Sequence, residues 1–95
     1  MTQEWKNAVR RGSVDELQRL LGAGALVDAR DEHGQSALML AVVNGHVAVV
    51  RTLVRAGANL DLRGTGAPGF AGKTALDLAL ARGEPDIVKS LTAAG

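Results

Sequence analysis

Residues 31–41 read Asp31-Glu32-His33-Gly34-Gln35-Ser36-Ala37-Leu38-Met39-Leu40-Ala41, followed by Asn44-Gly45-His46 and then Leu53-Val54-Arg55-Ala56-Gly57-Ala58. This stretch decides the fold because the chain contains it more than once. Displaced by 33 residues toward the N-terminus, Ala41 and Val42 fall on Ala8 and Val9, Gly45 on Gly12, Leu53 on Leu20, and Gly57-Ala58 on Gly24-Ala25. Asp61 and Arg63 fall on Asp28 and Arg30. Displaced by 38 toward the C-terminus, Ala37-Leu38 falls on Ala75-Leu76, Leu40-Ala41 on Leu78-Ala79, Gly45 on Gly83, Val50 on Val88, Leu53 on Leu91 and Gly57 on Gly95. Three copies fit, with five extra residues between the second and the third. A fixed period of this size signals a repeat architecture.

Each copy has the same internal grammar. A short apolar segment ends at a glycine (12, 45 or 83), and a second segment ends at Gly24, Gly57 or Gly95. Both lengths suit helices of two to three turns. Ser36 and Thr74 stand where an N-cap is wanted, predicting helices that run to about Val43 and Ala81. Gly45 and Gly83 then fall where a left-handed residue closes a helix. In the second segments, Val47, Val50, Leu53 and Val54 recur at three- and four-residue spacing. Ile87, Val88 and Leu91 repeat that stripe, as do Val14, Leu17, Leu20 and Leu21. Pro85 suits the first turn of its helix, where a missing N–H costs nothing. A lone helix pair cannot bury such a stripe, but stacked pairs can.

The 31–58 block closely resembles an ankyrin repeat. The family's T-P-L-H-x-A signature appears as Ser36 to Ala41 and again as Thr74-Ala75-Leu76-Asp77-Leu78-Ala79. The resemblance covers nearly the whole chain and implies an all-α solenoid of stacked helix-turn-helix pairs joined by finger loops. We expect one domain over 1–95: a capping copy at 1–30, a full copy at 31–63, and a copy at 64–95 carrying the five-residue glycine-rich insertion. The first copy lacks the Gly-x-Thr start, has Trp5 at the Leu38 position, and gives its helix a polar side through Gln3, Lys6, Asn7 and Arg10. The third copy is either a C-terminal cap or one unit of a longer array. Met39 and Asp77 replace the family's histidine, which ties neighbouring loops together, so the usual bracing is in question.

Composition narrows the function. A chain of 95 residues is too short for a doubly wound nucleotide fold or a (β/α)₈ barrel. Aromatics are 2%, so the core must be built from Leu, Val and Ala. The net charge of +1 gives no general argument for nucleic acid or an anionic membrane. Cysteine is absent, which excludes disulfides and thiolate chemistry. The longest strictly apolar run, residues 37–43, is far below the roughly 20 that a spanning helix needs. No signal-peptide pattern interrupts the polar N-terminus, and a soluble, cytoplasmic, monomeric protein is expected.

Two motifs invite a nucleotide reading. Gly64-Thr65-Gly66-Ala67-Pro68-Gly69 matches G-x-G-x-x-G, and residues 67–74 form a relaxed P-loop in which Lys73 would reach phosphates and Thr74 would hold Mg²⁺. The repeat accounts for the same residues differently: Gly72-Lys73-Thr74 aligns with Gly34-Gln35-Ser36, and no parallel sheet is available to seat a P-loop. His33 and His46 have no partner ligands, so no metal is expected; His46 reads as a helix-start residue, and Asp28 and Asp61 as turn-stabilising carboxylates. No cofactor and no catalytic activity are expected.

The resemblance implies a protein-binding module that uses finger loops and the concave inner-helix face. The matching positions are Glu32, His33 and Gln35 on one finger, Phe70 and Lys73 on the long finger, and Arg10, Arg11, Val43, Asn44, Ala81 and Arg82 at the inner-helix ends. Arg10, Arg11, Lys73 and Arg82 share one sign, which would suit an acidic protein partner. Phe70 reads either as a plug folded onto neighbouring loops or as an exposed contact, and Val43 either as an anchor for a partner or as part of the core. A structural segment of a longer array is the second reading, and nucleotide binding by residues 64–74 the remote one.

Overall fold

The computed structural model describes residues 1–66 and 69–94. The glycine-loop positions Ala67 and Pro68, and Gly95 at the close of the third copy, lie outside the described residues, as does the side chain of Ala94. Six helices follow one another: α1 (Gln3–Arg11), α2 (Val14–Gly22), α3 (Ala37–Val43), α4 (Val47–Arg55), α5 (Ala75–Arg82) and α6 (Pro85–Ala94). Among the described residues, β pairing is confined to two isolated bridges, Arg30 with Ser36 and Gly64 with Ala71. The result is an all-α stack with pairs α1/α2, α3/α4 and α5/α6. The first helices stack as α1–α3–α5 and the second as α2–α4–α6.

The helix ends form for local reasons. Hydroxyl oxygens of Thr2, Ser13, Ser36 and Thr74 accept the backbone N–H of Trp5, Glu16, Met39 and Asp77, at 3.2–3.4 Å. Each satisfies a donor that the first helical turn leaves unpaired. At Thr74 the arrangement is reciprocal, because Asp77 Oδ2 accepts the Thr74 N–H at 3.0 Å. Asp77, at a position where the family carries a signature residue of another kind, thus has a definite task here. Gly45 and Gly83 close α3 and α5 with φ of 73° and 65°, as the pattern predicts. Pro85 opens α6.

The core is aliphatic. Leu17, Val42, Val49, Val50, Leu53 and Ile87 are essentially inaccessible, and Trp5 fills the Leu38 position of the first pair with 1% of its surface exposed. The Trp5 indole N–H is buried and finds no partner among the described residues. Val49 lies outside the stripe read from the sequence, yet it is buried. The reason is tertiary: α4 packs against α2, α3 and α6, so it buries a wider face than a helix covered on one side. Among the described residues, no helix is long and apolar enough to cross a membrane.

Candidate functional site

The bracing put in question by Met39 and Asp77 is supplied by other residues. Met39 is buried in the core. Arg30 Nη1 donates to the carbonyls of Gly34 and Arg63, the latter one repeat away at 2.8 Å. Arg63 Nη1 donates to the Gly72 carbonyl at 2.7 Å. The two arginines coincide when the sequence is displaced by one repeat, so the signal was present in the pattern without its role being visible. Asp28, read as stabilising its own turn, bonds across the repeat: its Oδ1 accepts the Asn59 N–H of the following copy at 2.9 Å. Lys6 adds an ion pair to Glu32 at 2.9 Å and approaches Asp31 at 3.6 Å.

His46 precedes α4, as read from the sequence, and its ring reaches across to the first pair. Its Nε2 lies 2.7 Å from the Arg10 carbonyl, a bond in which the ring N–H donates. Gly12 packs directly against this ring: a Cβ there would come within 2.7 Å of Nδ1. The backbone of residues 10–12 is therefore clamped from the neighbouring pair.

That clamp positions the end of α1. Arg10 and Arg11 are exposed, and Arg11 Nε donates to the Asn7 carbonyl at 3.4 Å. Asn7, Arg10, Arg11 and Asn44 line a shallow cavity of about 480 Å³ with no carboxylate among its lining residues. Asn44 caps the end of α3 and spends an amide hydrogen on the Leu40 carbonyl at 2.7 Å. Val43 is half-buried and packs on the core, so it belongs to both of the alternatives read for it. Ala81 and Arg82 are exposed at the end of α5. Arg82 pairs with Glu84 at 3.2 Å, which removes it from a continuous basic stripe.

The fingers divide. Glu32 and His33 are exposed. Hydrogen bonding from Lys6, then the local backbone amide, holds the Glu32 carboxyl down at about 2. Gln35 corrects the sequence reading: it is 9% exposed and is not a surface contact. Its N–H donates to Asp31 Oδ1 and its carbonyl accepts the Asp31 N–H, both at 2.9 Å, so it closes the turn beneath the finger. Phe70 is half-buried and packs against the core, as the plug reading has it, while part of its surface stays accessible. Lys73 is exposed. The nucleotide motif meets a physical obstacle. The Gly72 and Lys73 amides donate to Gly64 and Phe70 carbonyls, and the Thr74 amide and hydroxyl are engaged by Asp77. Among the described residues, these three amides of the motif are already bonded within the loop.

Stacked helix-loop-helix pairs with exposed inner-helix ends define a helical repeat protein. A family model for ankyrin repeats, in three copies, matches residues 6–95, and the chain belongs to that family. It is 41% identical over 85 residues to human ankyrin repeat domain-containing protein 63, covering 90% of this chain and 22% of that protein. It is 46% identical over 57 residues to human ankyrin repeat domain-containing protein 29, covering 59% and 19%. The bovine mitochondrial disaggregase matches 55 residues at 46% identity, covering 58% and 8%. The chain thus spans about a fifth of the length of the first two relatives. Ankyrin repeats serve generally as protein-interaction modules.

Proposed function

We propose that this chain binds a protein partner through its concave face, using the inner-helix ends and the exposed finger residues Glu32, His33 and Lys73. The observation that carries this reading is a row of equivalent positions. Arg10 and Arg11, Val43 and Asn44, and Ala81 and Arg82 close α1, α3 and α5, which stack side by side. A stack of rigid helices holds such a row in place before a partner arrives, which lowers the ordering cost of binding. The partner's surface is acidic where it meets α1. The units 1–30, 31–63 and 64–95 belong to the same reading, with the first acting as a cap. Arg19 pairs with both Glu4 and Glu16, giving the first pair a charged surface suited to water.

Affinity capture tests the proposal, with this domain as bait beside a variant carrying Arg11→Glu, Val43→Glu and Arg82→Glu. Proteins retained by the wild type and lost by an equally stable variant support the concave face. Identical captures by both would refute it.

A further inference from the structure

We infer that the concave face selects an extended peptide segment in which an acidic residue is followed by aliphatic residues at intervals of about three. This rests on the proposed function and names the chemistry of its partner. The argument begins with an asymmetry across the row. On α1 the row is cationic: Arg10 and Arg11 are exposed and take part in no ion pair among the described residues. On α3 it is apolar and amide in character, through Val43 and Asn44. On α5 the Arg82 charge is met by Glu84, leaving exposed Ala81 as the apolar contribution. The face therefore passes from positive to apolar along the stacking direction.

The α1 end is built for a carboxylate. Arg10 and Arg11, with Asn7 and Asn44, line one cavity of about 480 Å³. His46 fixes the intervening backbone through the Arg10 carbonyl, so the arginines start from a rigid base. Guanidinium groups hold carboxylates through short, charge-assisted hydrogen bonds. Asn44 has committed an amide hydrogen to Leu40, and its oxygen has no donor among the described residues; it can accept a peptide N–H crossing α3. The spacing follows from packing. Neighbouring helix axes lie roughly 8–10 Å apart, and an extended chain advances about 3.3 Å per residue. An acidic residue seated at α1 thus places the third residue onward over Val43 and the sixth over Ala81.

The test uses a labelled peptide, Glu-Glu-Ser-Ser-Leu-Ser-Ser-Leu, and its counterpart with Lys-Lys in place of Glu-Glu, measured by fluorescence anisotropy on the intact domain. The acidic peptide is expected to bind about tenfold more tightly at low salt, a difference of about 1.4 kcal/mol. Arg10→Gln with Arg11→Gln should abolish that preference, while Arg51→Gln with Arg55→Gln on α4 should retain it. Thermal melting verifies that each variant is folded. Equal affinity for the two peptides, no saturable binding of the acidic one, or a preference that survives in the Arg10/Arg11 variant would each overturn the inference. A random peptide display library separates this failure from failure of the broader reading. Selected ligands that need Val43 but ignore Arg10 and Arg11 overturn the acidic–apolar preference and leave the concave module standing. Ligands indifferent to all three residues overturn both.

Discussion

The middle and third helix pairs share one pattern and differ in what surrounds them. Val42 on α3 is inaccessible, whereas Leu80, its counterpart on α5, is 58% exposed. Val50 is buried, and its counterpart Val88 is only half-buried. The cause is that α3 packs against both α1 and α5, and α4 against both α2 and α6, whereas α5 and α6 have stacked neighbours on one side among the described residues. Equivalent residues therefore carry unequal energies. In a stack, stability is the sum of each pair's own contribution and that of its neighbour contacts, so the middle pair draws on two interfaces.

Substitutions can break or sharpen this contrast. The largest effect is expected at Leu53, fully buried in the middle pair: Leu53→Ala should lower unfolding free energy by about 2–5 kcal/mol. Leu91→Ala, its counterpart, should lie toward the lower end of that range, both read from urea denaturation. Next, Val42→Ala should cost roughly 1.5–3 kcal/mol through lost burial, while Leu80→Ala should stay within about 0.5 kcal/mol. A reversal of that order would mean the pairs do not stack as described. A smaller contrast concerns the glycine turns. Gly83→Ala places a side chain at φ 65° in open space, and should cost about 1 kcal/mol. Gly12→Ala, at φ 73°, must also displace His46, so its melting temperature should fall further.

The smallest effect is electrostatic and lies between the first two pairs. Glu32 titrates near 2 when folded, against an ordinary 4.5, because Lys6 holds its charged form. Its contribution to stability is complete above about pH 4.5 and is lost as pH falls toward 2. The pair is exposed, so the slope should be shallow. Glu32→Gln should flatten the acid limb of a stability–pH profile in this window. An unchanged profile would show that Lys6 contributes nothing through this contact.

Local chemistry was readable before the fold was in hand. Ser36, Thr74, Gly45, Gly83 and Pro85 state helix ends through groups a few residues apart, and each acts as its position demands. Gln35 was placed on the surface by its match to a finger position of the family; its burial arises from Asp31 and the packing around the finger, which no local pattern encodes. Phe70 left two options, and its half-buried placement against the core answers to both. The Lys6–Glu32 pair joins residues 26 apart, outside the repeat period, and carried no periodic mark. At the inner-helix ends the sequence marked the positions, but not that Glu84 would pair with Arg82 while Arg10 and Arg11 stayed outside any ion pair among the described residues.

The long finger has a consequence for how such chains can be altered. Its base is closed by Gly64 N–H to the Lys73 carbonyl and Gly72 N–H to the Gly64 carbonyl, both at 2.9 Å, while Thr65 rests against Gly34 of the preceding finger. The five additional residues therefore leave α5 seated on α3. Loop-closure entropy rises only slowly with length, by about 0.6 kcal/mol per doubling. A foreign epitope or short recognition sequence spliced between Thr65 and Phe70 should ride on this closed base, making the finger a grafting port on an otherwise unaltered scaffold.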